Sequence, residues 1–122
     1  MLKIIAILVF SGSLNVAVET DSGWAEKSFA NTANGAEELI GFAEEAVGDP
    51  PDGVRVVLGA LSEEDNLEHI VNLFNALELK HGFATPEEVK AAAAKHQLPG
   101  PSAIAVAKAD QDKFGALYGR TP

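Results

Sequence analysis

Few residues in this chain combine a reactive side chain with a spacing that chemistry could use. Asp110-Gln111-Asp112 sets two carboxylates two residues apart, the arrangement with which a loop holds a hard cation between oxygens. On a continuous helix the same two positions diverge by about 200°, so there the expectation for Asp110 and Asp112 is a solvated surface. Ser11-Gly12-Ser13 follows an apolar run, and small residues in that place let backbone N–H groups approach a phosphate when a helix comes next. A hairpin turn is the preferred reading of Ser11, Gly12 and Ser13, and a phosphate loop the alternative. His69, His81 and His96 are too far apart in sequence to form an HxxxH or HxH pair. The chain has no cysteine, which removes disulfides, thiolate nucleophiles and zinc knuckles. Its serines lack a GxSxG elbow, and Glu63-Glu64-Asp65 is explained by the preference of a helix's first turn for acids.

The elements that must position these groups begin with Leu2–Phe10, a near-continuous β-branched apolar run that predicts a central strand covered on both faces. The apolar stretch 4–10 also has the outline of a short signal peptide, but it is too short to span a bilayer, and the buried strand is the reading adopted. Leu14, Val16 and Val18 alternate on a second strand, Asp21-Ser22-Gly23 makes a tight turn, and Trp24–Ala30 is a third strand. The period then changes. Asn34 is the expected cap of a helix with Ala36, Leu39, Ile40, Ala43 and Val47 on one face, and Gly48 to Gly53 ends it. Val54–Leu58 is a fourth strand. Ser62 and Asp65 are expected to cap a second helix with Leu67, Ile70, Val71, Phe74 and Leu77 inward, Lys80 and His81 at its C-terminal end and Gly82 as its stop. Phe83-Ala84 is a short fifth strand. Thr85-Pro86-Glu87-Glu88 is a capping box with proline at the first helical position, starting a helix that runs to about His96. Pro99-Gly100-Pro101 interrupts, and Ser102 caps a last helix toward Leu117 or Tyr118.

The order β-β-β-α-β-α-β-α predicts one α/β domain over residues 1–122, a mixed sheet flanked by helices. A hydrophobic fraction of 47% argues against disorder. The net charge of −9 is uneven: residues 1–79 sum to −11 and residues 80–122 to +2. Only the last third has the sign that nucleic-acid binding requires. The acidic remainder is expected to act as a solvated surface, and the absence of cysteine fits a cytoplasmic protein.

With these elements in order, the chain resembles the N-terminal RuvC-like domain of DEDD-type insertion-sequence transposases and Piv-type DNA invertases. Leu14-Asn15-Val16-Ala17-Val18 looks like that family's LDVAV-like second strand, and the stretch from Phe29 to Gly35 with Leu39 resembles its FxNTxxGxxxL segment. Arg55 to Ala60 resembles its RVVLEA strand, Gly82 to Val89 its NPxxV region, and Lys113 to Leu117 the end of its KTDxxDAxxLA helix. The resemblance implies a ribonuclease H-like fold, DNA as substrate, and four carboxylates holding two Mg2+ or Mn2+ ions that activate water. It also implies that the site is degenerate. Leu8 stands at the first-strand aspartate, Gly59 at the glutamate, and Asp112 and Gly115 at the final pair, so Asp112 alone survives. The expectation is a catalytically inactive domain of recombination lineage, with no cofactor unless the metal site persists. Two alternatives stand beside it. One is a non-enzymatic interaction or oligomerisation domain, which exposure of Trp24 and Phe29 would favour. The other is a flavodoxin-like protein, since Ile7 to Leu14 resembles the opening of flavin-mononucleotide reductases; it requires a helix over 14–20 and Ser11-Gly12-Ser13 as phosphate loop. A protein partner or second copy is open, and no membrane segment is expected.

Overall fold

A computed structural model describes residues 2–49, 53–61, 67–99 and 102–118. The chain begins with β1 (Lys3–Val9), β2 (Ser13–Thr20) and β3 (Gly23–Ala30), then α1 (Ala33–Val47), β4 (Val54–Ala60) and α2 (Glu68–Ala76). It ends with β5 (His81–Ala84), α3 (Pro86–Lys95), α4 (Ala103–Lys113) and a 3-10 turn, Gly115–Tyr118. The five strands form one sheet in the order β3-β2-β1-β4-β5. β2 runs antiparallel to both of its neighbours, whereas β1, β4 and β5 are parallel. Two tight hairpins followed by two helical crossovers leave that order, with β1 at the centre, and it is the ribonuclease H-like arrangement.

The two-sided burial expected of β1 follows from its side-chain alternation. Ile4, Ala6 and Leu8 enter one core with α3 and α4, while Ile5, Ile7 and Val9 enter the other with α1 and α2. Leu14, Val16 and Val18 point to the α1 face and Ala17 to the α4 face. The strand over residues 14–20 removes the flavodoxin-like alternative, because no helix follows the first loop. Ser11 and Gly12 instead sit in a hairpin turn closed by the Phe10 N–H donating to the Ser13 carbonyl at 2.8 Å.

Thr85 and Ser102 cap their helices as expected, their hydroxyls accepting from the N–H groups of Glu88 and Ala105. Glu88 returns the bond to the Thr85 N–H, completing the capping box. Several local expectations need correction. Thr32, not Asn34, caps α1: its extended backbone (φ −138°, ψ 168°) lets its hydroxyl accept from the Gly35 N–H, and Asn34 is already inside the first turn. Gly82 does not stop α2, which ends at Ala76; the chain turns at Leu77 and Glu78, and His81 and Gly82 are the start of β5. Leu77 is 48% exposed rather than inward. The caps expected at Ser62 and Asp65 lie outside the described residues, as does Gly100-Pro101. The last helix, expected to run toward Leu117 or Tyr118, ends at Lys113 and is followed by the 3-10 turn, while α3 and α4 pack against each other as the two helices expected after β5. Trp24 and Phe29 are half-buried against the two cores, so they do not form the exposed patch that would have favoured the interaction-domain alternative.

Candidate functional site

In a sheet of this order the C-terminal ends of β1 and β4 lie side by side, and α4 crosses that face. Leu8 is paired with Gly59 across the β1–β4 ladder, so the two positions at which the family resemblance places its first acids are direct neighbours. Neither offers an oxygen. Leu8 is completely buried in the core under α4. Gly59 has no side chain, and one would not fit: a Cβ built there falls 2.5 Å from Cγ2 of Val106 and 3.2 Å from Cγ2 of Val89. The two α4-side helices have closed directly over the place where carboxylates would stand.

Asp110 and Asp112 are on α4, and the helix sends them in different directions. Asp110 lies seven residues after Ala103 and three after Ala107, on the stripe with Val106 that faces the sheet. It is 2% exposed, which corrects the expectation of a surface carboxylate. Arg55 on β4 reaches it with both prongs of its guanidinium, Nε donating to Oδ2 at 2.7 Å and Nη2 to Oδ1 at 2.8 Å. The Tyr118 hydroxyl, brought back by the 3-10 turn, donates to Oδ2 as well. Three donors thus occupy three of the roughly four acceptor sites of this buried carboxylate. The Asp110 hydrogen bond holds the Arg55 guanidinium protonated, overcoming a smaller desolvation effect. Burial first, and then the Asp110 carboxylate, push the Tyr118 phenol well above its ordinary range. The guanidinium lies against the backbone of Gly82, where a Cβ would come within 2.4 Å of Nη2. The Phe114 ring covers it with its centroid 5.1 Å from Cζ. Gly82 therefore makes room for Arg55, a role quite different from the helix stop expected of it.

Asp112 sits on the outer side of α4 and pairs with His96 Nε2 at 2.9 Å and Lys95 Nζ at 3.5 Å. Burial acts to raise its pKa, but the His96 hydrogen bond and the His96 and Lys95 charges outweigh it and hold the carboxyl below the usual range. Lys113 bridges to Glu88 at 2.8 Å, so α3 and α4 are joined by two ion pairs on their outer surface. Gly115 opens the 3-10 turn and supplies no ligand. The structure therefore brings Leu8 and Gly59 together, sets Asp110 beside Arg55, and leaves Asp112 on another surface. Among the described residues no three His, Asp or Glu side chains gather closely enough to hold a metal ion. Also among them, no helix is long and apolar enough to cross a membrane.

No family model matches the chain, and no curated protein matches it. Among solved structures it is similar to the type II variant of the Aquifex aeolicus Ppx/GppA phosphatase, at 14% identity and a TM-score of 0.42. That match covers 80% of this chain and 41% of the other, so the chain spans under half the length of that protein. The fold stands on the strand order and directions themselves.

Proposed function

We propose that this chain is a ribonuclease H-like domain of transposase lineage that does not perform the family's two-metal strand transfer. The observation that carries this reading is the Leu8–Gly59 pair, two neighbouring ligand positions filled by a core leucine and by a glycine packed against Val106. A two-cation site needs several anionic oxygens around one point, and the residues here do not fit it. Leu8 and Gly59 supply none, Asp110 is committed to Arg55 and Tyr118, and Asp112 to His96 and Lys95. On this reading the domain acts in the cytoplasm by binding, with DNA as the partner that the resemblance suggests and without a cofactor.

Calorimetric titration of Mn2+ into the protein and into Asp112→Ala, paired with a DNA-nicking assay in Mn2+ and in Mg2+, tests the reading. The expected result is no stoichiometric binding to either protein and no metal-dependent nicking. A site of defined stoichiometry that disappears in Asp112→Ala, together with nicking, would overturn it.

A further inference from the structure

The connection from α2 to β5 carries apolar surface that neither core uses. Besides Leu77, Leu79 is 36% exposed and Val54 at the start of β4 is 39% exposed. Leu79 borders a cleft of about 450 Å3 between the C-terminal half of α1 and the N-terminal ends of β1 and β4, with Ile5, Ile40, Ala43 and Val56 among its walls. On its other flank lies a second, shallower hollow against Phe74 and His81. Leu79 is thus a ridge between two depressions, and its place is fixed by the backbone: its N–H donates to the Phe74 carbonyl at 2.8 Å. The residue before it, Glu78, takes a left-handed conformation (φ 55°), which a side-chain-bearing residue adopts only at a cost. A turn of this kind holds a partly exposed leucine at a fixed place, with apolar surface left for a partner to bury.

The rim has a definite charge. Among the described residues that line the cleft, Glu44, Asp49 and Glu78 stand against one cation, Lys80. Among the described residues none of these three carboxylates forms a salt bridge. An apolar floor with unpaired acids at its edge complements aliphatic side chains flanked by lysine or arginine. A second copy of the chain fits badly, because a two-fold contact through this patch sets the same excess of carboxylates against itself.

We propose that this cleft docks a basic amphipathic segment of a partner protein, its aliphatic side chains against Leu79 and the α1 wall and its cations on Glu44, Asp49 and Glu78. The inference does not depend on the lineage of the domain. It is tested with a fluorescein-labelled amphipathic peptide of leucine and lysine only, followed by anisotropy and by amide shifts in the folded protein. Saturable binding is expected, with shifts confined to the residues around Leu79 and Ile40. Leu79→Asp, and separately Glu44→Lys with Glu78→Lys, should each weaken binding by about tenfold or more. Glu26→Lys with Glu38→Lys, an equal change of charge elsewhere, should leave it near the parent value. Equal weakening by both charge-reversed pairs would overturn the proposal, since binding would then follow net charge alone. So would the absence of saturable binding, or equal affinity for the same peptide with glutamate in place of lysine. A concentration-dependent dimer that Leu79→Asp abolishes would also overturn it, by assigning the cleft to a second copy.

Discussion

Arg55 and Asp110, fifty-five residues apart in sequence, form a two-pronged guanidinium–carboxylate pair that pins α4 to β4. The carboxylate is almost fully buried and the guanidinium side chain keeps 24% of its exposure. Removing one member of such a pair strands the other, at a cost of about 3–5 kcal/mol when both are buried. With Arg55 partly hydrated, Asp110→Ala is expected to lower stability by about 2–3 kcal/mol in urea unfolding. Replacing Arg55, Asp110 and Tyr118 together by Met, Leu and Phe should cost less than that single change. A loss under about 0.5 kcal/mol for Asp110→Ala, the range of ordinary surface changes, would mean that the pair contributes little.

Tyr118 is the only tyrosine in the chain, so phenolate absorbance reports on it alone. Its folded pKa is raised above that of the unfolded chain, chiefly by burial. The stability that comes from keeping it neutral is therefore fully present below about pH 10, the ordinary tyrosine value, and falls as the pH rises beyond it. In an alkaline titration the phenolate signal should emerge only together with loss of the circular dichroism of the fold. A phenolate that forms while the fold persists would contradict the buried bond to Asp110.

Gly59→Ala forces a methyl group to within 2.5 Å of Val106. Overpacking of this kind costs about 1–3 kcal/mol, and Val106→Ala should recover part of it when the two changes are combined. Thermal unfolding of the single and double variants measures the coupling. Additive effects would show that the β4–α4 contact is looser than the geometry describes.

The Asp112 carboxyl is held below its ordinary pKa by His96 and Lys95, against the opposing effect of its burial. Its contribution is therefore present above the unfolded carboxylate value near pH 4 and disappears as the pH falls through the folded value. The pair is superficial, so the stability difference between the parent and Asp112→Asn should be about 0.5–1 kcal/mol at pH 6. It should approach zero in strong acid. A difference that grows on acidification would reverse the assigned direction.

What local sequence dictates was legible here, and what depends on distant partners was not. Alternation in Leu14–Val18, the run of β1 and the capping box at Thr85 each specify an element from a few neighbours, and such signals give the order of elements along the chain, whereas the order of strands in the sheet comes from their pairing. The cap at Thr32 was missed because Asn34 is an equally good capping type two residues on, and only the chain's path out of β3 selects between them. The spacing of Asp110 and Asp112 says that the two diverge on a helix, but not which of them faces inward. The spacing of Asp110 from Ala103, Val106 and Ala107 marks it as inward-facing, and Arg55 within the apolar strand Val54–Ala60 marks a half-buried cation in need of a carboxylate. Gly82 carried no local sign of its role, since the guanidinium that needs the space comes from another strand.

The contact between Gly59 and Val106 also constrains the order in which this sequence can change. Any single substitution at position 59 collides with α4 before its chemistry matters, so an acid there is reachable only after Val106, and Val89 beside it, have become smaller. Those prior steps would open a void under α4 and weaken the fold while conferring nothing at the site. The route from this sequence to a carboxylate on β4 therefore descends before it rises, and packing alone is enough to keep position 59 as it is.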